Sequence, residues 1–101
     1  MPELKFTKKF LKDLEDLCRK NKKKLRQVTK TLALLEQNPL YPGLQIERIA
    51  NDPSAWSARI DRRLRISFEP QAYHSSGDPN WSGPIILLRL LDHDDLYKKP
   101  R

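Results

Sequence analysis

The sequence predicts an α+β domain, with an N-terminal strand and a helical hairpin packed on one face of a mainly antiparallel sheet of four to five strands. Three observations predict it. Apolar residues recur at helical spacing in two consecutive segments between Thr7 and Asn38. After Pro42-Gly43 the apolar period changes to two, as strands require. A nearly continuous apolar run, Ile85 to Leu91, then follows a long polar stretch. At 101 residues, 1–101 is expected to be one domain.

Leu4-Lys5-Phe6 alternates apolar and polar, a short first strand. Thr7 is placed to cap a helix, with Phe10, Leu11, Leu14, Leu17 and Cys18 on its apolar stripe and Lys8, Lys9, Lys12, Asp13 and Asp16 opposite. That helix runs to about Lys20, and Cys18 is expected to be a buried structural thiol. Asn21 and the lysines after it break the pattern. A second helix follows on Leu25, Val28, Leu32 and Leu35, and Asn38-Pro39 ends it, because a residue before proline avoids the helical region.

Leu44 to Ile49 is the next strand candidate, and Asn51-Asp52-Pro53-Ser54 a turn. Trp56, Ala58 and Ile60 alternate with Ser57, Arg59 and Asp61, and Leu64, Ile66 and Phe68 alternate with Arg65, Ser67 and Glu69. Paired through an Asp61-Arg62-Arg63 turn, these segments put the apolar residues inward and set Arg59 and Arg65 on one open face, which is expected to be wet. Glu69 to Pro84 has no periodicity and reads as a loop. Ile85 to Leu91 is expected to be a central strand with both faces largely covered.

A domain this small has no room for a deep cavity, so chemistry is expected on an open face or shallow groove. Twenty Lys+Arg against thirteen Asp+Glu give a net charge of +7, which favours a polyanionic partner such as nucleic acid. One cysteine excludes an intramolecular disulfide and a Cys-based zinc site. The N-terminus lacks a signal-peptide apolar stretch, and no segment approaches the about 20 apolar residues of a membrane span. A cytoplasmic protein with no membrane partner is expected. There is no P-loop, GxGxxG, HExxH or GxSxG, and metal binding by His93 with Asp92, Asp94 and Asp95 is disfavoured because neighbours on a strand point to opposite faces. No metal and no cofactor are expected.

The arginines carry more. Arg59 and Arg65 on one face, with Arg62 and Arg63 at the turn, form a set of guanidinium forks suited to phosphate oxygens. Exposed strand positions are also often charged for solubility alone. His93, directly after the last strand, is the general acid/base candidate, and three neighbouring carboxylates favour its protonated form; the alternative is a surface histidine at a strand end. His74 lies in the polar loop and is expected to be idle. Trp81 either stacks on a base or anchors its loop. Lys22, Lys23 and Lys24, at the helix turn, either touch phosphate backbone or are merely solvated.

In order and spacing, Asn38-Pro39-x-x-Pro42-Gly43-Leu44, Trp56-Ser57-Ala58-Arg59-Ile60-Asp61 with Leu64-Arg65-Ile66, and Asp92-His93-Asp94-Asp95-Leu96-Tyr97 resemble the RelE/ParE superfamily of toxin–antitoxin toxins over nearly the whole chain. The resemblance implies a toxin neutralised by a cognate antitoxin, with an extended antitoxin segment wrapping it. RelE-like members are endoribonucleases that cleave mRNA in the ribosomal A site through the 2′-hydroxyl. ParE-like members inhibit DNA gyrase without such chemistry, and a binding-only member is the third case. Carried onto this sequence, Arg65 and Arg59 match basic positions that contact phosphate, and His93 and Tyr97 match the C-terminal catalytic segment. Ser57 stands where some RelE enzymes have lysine. Four residues follow Tyr97, so a final helix is expected to be absent or vestigial.

Overall fold

The computed structural model describes residues 2–101. Strand β1 (Leu4–Phe6) leads into helix α1 (Lys8–Lys20), helix α2 (Lys22–Gln37) and a 3-10 turn (Pro42–Leu44). Strands β2 (Glu47–Ile49), β3 (Asp52–Arg59), β4 (Leu64–Pro70) and β5 (Ile85–Asp92) follow, and helix α3 (His93–Lys98) closes the order. The five strands form one sheet in the order β1-β5-β4-β3-β2, antiparallel except for the parallel β1–β5 pair. This is the predicted fold class.

The helix boundaries follow from side-chain chemistry. Thr7 Oγ1 accepts the Phe10 N–H at 3.1 Å and donates to the Leu87 carbonyl at 2.9 Å, so one hydroxyl starts α1 and moors it to β5. The Asn21 N–H closes α1 on the Leu17 carbonyl, while its side chain accepts the N–H groups of Lys23 and Lys24 at the start of α2. One residue thus ends one helix and begins the next. The hairpin covers one sheet face through Phe10, Val28 and Leu35, packed with Ala58, Leu64, Ile66, Phe68, Ile85, Leu87 and Leu90. Arg89, the lone charge in the apolar run, meets Asp13 of α1 with Nε 2.8 Å and Nη2 3.1 Å from its carboxylate.

The other face is not left wet. Helix α3 lies over it, with Leu96 wholly buried against Ile49, Ala55 and Leu88. Small residues make room for it: Ala55, Ser57 and Ser67 on this face are all buried. Beyond α3, the Ser67 hydroxyl donates to the Pro100 carbonyl at 2.6 Å, and Arg101 reaches Asp52, Ser54 and Glu69. The final helix is short but fully formed, because burying Leu96 contributes about 2 kcal/mol that no six-residue helix would have alone.

Other boundaries also moved. Leu44 belongs to the 3-10 turn, and Gln45 takes a left-handed backbone (φ 45°, ψ 53°) that delays β2 to Glu47. The expected turn at 51–54 is mostly strand, since Asp52 pairs with Ile49 and the chain reverses at 50–51. Cys18 is half-buried rather than buried. The polar loop is closed by main-chain bonds, Gln71 N–H to Pro84 and Asn80 N–H to Ala72, and pinned by Trp81, edge-on to Trp56 at 5.2 Å and to Phe68 at 5.9 Å. These contacts make Trp81 an anchor of its loop.

Candidate functional site

Arg59 and Arg65 are cross-strand partners on β3 and β4, which sets both on the face that carries α3. The connecting turn is built on Asp61. Its Oδ1 accepts the N–H groups of Arg63 at 2.9 Å and Leu64 at 2.7 Å, and its Oδ2 is ion-paired with Lys24 of α2. Burial opposes ionisation of this carboxyl, but Lys24 and the two N–H groups outweigh it and hold its pKa at about 2. The carbonyl of the same residue accepts from Arg59 Nε at 3.3 Å and from Arg65 Nη1. Arg62 and Arg63 are left exposed at the tip.

The turn is tied to the C-terminal helix, whose first residue, His93, donates its N–H to the Arg63 carbonyl at 2.6 Å. Between them lies a depression of about 320 Å³ lined by Arg62, Arg63, Arg65, Asp92, His93 and Asp94. The His93 ring stacks on Tyr97, centroids 4.3 Å apart and planes inclined by 28°, and its Nδ1 lies 3.4 Å from Asp94 Oδ1. Tyr97 is fixed from the far side: its hydroxyl donates to Glu47 Oε1 at 2.9 Å and lies 3.3 Å from Ser57 Oγ. Burial pushes the Tyr97 hydroxyl above the ordinary tyrosine range, and the Glu47 carboxylate adds to this against the opposing Ser57 bond. It is a neutral donor at physiological pH.

The structure thus brings Arg65, His93, Tyr97, Arg62 and Arg63 together. Arg59 sits one strand away, with Nη1 3.3 Å from Gln45 Oε1, and reaches the others through the Asp61 carbonyl. Lys24 buttresses the turn. Lys22 instead lines a separate groove with Leu11, Leu14, Cys18 and Leu25, and Lys23 is exposed on the first turn of α2. His74 is exposed in its loop. Among the described residues no cluster of His, Cys, Asp and Glu is arranged to hold a metal ion. Sequence reasoning missed Glu47 and the anchoring work of Asp61. An aspartate two and three residues before the backbone N–H groups of a turn is a legible signal; a glutamate on an edge strand is not.

No protein-family model matches the sequence, and no curated protein matches it. Solved structures do. The YoeB/ParE toxin from Agrobacterium tumefaciens matches with a TM-score of 0.69 at 16% identity, over 90% of this chain and 98% of that one. YafQ in the E. coli DinJ–YafQ complex gives 0.69 at 14% identity, covering 95% and 98%. YoeB in the YoeB–YefM complex from Staphylococcus aureus gives 0.65 at 18%, covering 92% and 98%. The chain has the RelE-like toxin fold. Within this RelE-like fold the depression lies where the first residue of the final helix meets the β3–β4 turn, at the C-terminal end of β5. Among the described residues no helix is long and apolar enough to cross a membrane.

Proposed function

We propose that the chain is the toxin of a toxin–antitoxin module and a ribosome-dependent endoribonuclease acting on mRNA in the A site. The observation that carries this reading is the shared depression of Arg65 and His93, with the His93 ring held flat on Tyr97. The antitoxin partner is supported by neighbours solved with theirs, YefM and DinJ. The work is cytoplasmic because the ribosome is.

Cleavage through the 2′-hydroxyl forms a bond from the 2′-oxygen to phosphorus and breaks the bond to the 5′-oxygen. One proton must leave the 2′-oxygen and one must reach the 5′-oxygen. Asp94 engages Nδ1 of His93, which leaves Nε2 to exchange a proton with the substrate. Arg65, with one nitrogen held by the Asp61 carbonyl, presents its remaining donors to the charge building on the phosphate. Tyr97 positions the imidazole. Arg62, Arg63, Lys22 and Lys23 hold flanking phosphates as point contacts, and Lys24 acts through the turn. Arg59 supports the same turn from β3.

Primer extension on a defined mRNA in a purified translation system tests this. Discrete breaks within translated codons that vanish with His93→Ala are expected. Intact mRNA with active wild-type protein would overturn the reading, and inhibition of gyrase supercoiling in its place would identify a binding toxin.

A further inference from the structure

A second concavity, of about 330 Å³, lies between the segment after α2 and the sheet. It is lined by Pro39, Leu40, Tyr41 and Pro42 from that segment, by Gln45 and Ile46, and by Trp56 and Trp81. Leu40 and Tyr41 are 73% and 44% exposed, too much apolar surface for two adjacent residues with no purpose. No residue lining the groove is acidic. Arg48 lies over the Trp56 ring at 5.5 Å, so a guanidinium stands against one of the lining residues.

Gln45 connects this groove to the site already described. Its left-handed backbone is a strained conformation for a residue with a side chain, of the kind retained where geometry matters. Its Oε1 accepts from Arg59, whose Nε reaches the Asp61 carbonyl that also takes Arg65. A hydrogen-bonded chain therefore runs from the groove to the wall of the His93 depression.

We propose that this groove is a nucleobase-binding subsite, taking the base of a single-stranded RNA nucleotide that neighbours the one at the His93 depression. The inference rests on the endoribonuclease reading for its substrate class. The rings of Tyr41, Trp56 and Trp81 that line it offer stacking surfaces to any base. Arg48 against Trp56 and Arg59 against Gln45 match the backbone's charge, and the net charge of +7 has the sign an RNA strand demands. The Gln45 carboxamide keeps its N–H donors for a base edge, since Arg59 uses the oxygen alone.

The chain has two tryptophans and both line the groove, so intrinsic fluorescence reports on it directly. The probe is a short 2′-O-methyl oligoribonucleotide, which cannot be cleaved, with binding followed in parallel by anisotropy of a labelled copy. Saturable quenching that tracks anisotropy is expected. Tyr41→Ala should weaken it about tenfold, the effect of losing one stacking ring, and Tyr41→Phe should restore it. Oligonucleotide binding without quenching, or quenching indifferent to Tyr41→Ala, would overturn the subsite. So would quenching by the antitoxin but not by the oligonucleotide, which would assign the groove to protein. Quenching in a protein that leaves translated mRNA intact would keep the subsite and sink the ribonuclease reading; ribosomal cleavage without quenching would do the reverse.

Discussion

Arg59 and Arg65, paired across the β3–β4 hairpin, both donate to the carbonyl oxygen of Asp61. Two like charges side by side would repel. Here a shared acceptor fixes both, and the Asp61 carboxylate supplies negative charge on the same residue. The arginines are consequently held in place by the protein itself, the preorganisation that the proposed phosphate contacts need.

That fixation makes Arg65 intolerant of lysine. Arg65→Ala and Arg65→Lys should both slow single-turnover cleavage on the ribosome by about 10²–10³-fold, the usual cost of removing one oriented donor from a developing anion. Lysine keeps the charge but not the fork that serves Asp61 and phosphate together. Near-normal rates for Arg65→Lys would reduce the residue to a point charge.

Tyr97 separates stacking from hydrogen bonding. Tyr97→Phe keeps the ring beneath His93 and loses the Glu47 and Ser57 bonds, so most activity should survive, with about 1 kcal/mol less stability. Tyr97→Ala should approach the rate of His93→Ala. The raised hydroxyl pKa also makes a stability claim. Its contribution is complete below the ordinary tyrosine value and is lost as pH rises through the folded one, so alkaline unfolding of Tyr97→Phe should be less steep.

Asp61 gives the opposite sign. Its pKa falls from 3.8 to about 2 on folding, so the stabilisation is present above the ordinary carboxylate value and is lost as pH drops through about 2. That is about 2 kcal/mol. Urea midpoints across this acid range should fall more steeply for the wild type than for Asp61→Asn, which keeps one acceptor for the turn but cannot titrate. Equal slopes would remove the Lys24–Asp61 pair from the stability of the turn.

The C-terminal cover is held by burial more than by charge. Leu96→Ala should cost about 3 kcal/mol and raise hydrogen exchange throughout α3. Arg101→Ala, at a half-exposed ion pair, should cost under about 1 kcal/mol despite its contacts with Asp52 and Glu69. A reversed ranking would make the tail, not Leu96, the clamp.

The hairpin was legible because alternation is local: Trp56, Ala58 and Ile60 against Ser57, Arg59 and Asp61 fixes which side faces the helices without knowledge of anything else. The helical hairpin was legible for the same reason, with Thr7 and Asn21 as its punctuation. The cover over the second face was not. Six residues with one buried leucine carry no periodicity, and the evidence for them sits elsewhere, in Ala55, Ser57 and Ser67, too small for a face meant to meet water. Gln45 was missed because a left-handed glutamine has no sequence mark. The placing of His93 near the arginines, and its candidacy as acid or base, came from its position after the last strand, whereas the role given to Tyr97 came from the resemblance alone.

The one parallel pairing, β1 with β5, joins the two ends of the fold: Thr7 and Leu87, which share a hydrogen bond, stand 80 residues apart. Strand β5 also lies inside the sheet, between β1 and β4. A nascent chain must therefore be almost fully synthesised before this interior strand can be inserted, and until then the β3–β4 turn has no His93 to meet. Loop closure over such a span is slow. Each newly made molecule spends its first moments without the depression shared by Arg65 and His93, an interval in which another protein can reach it first.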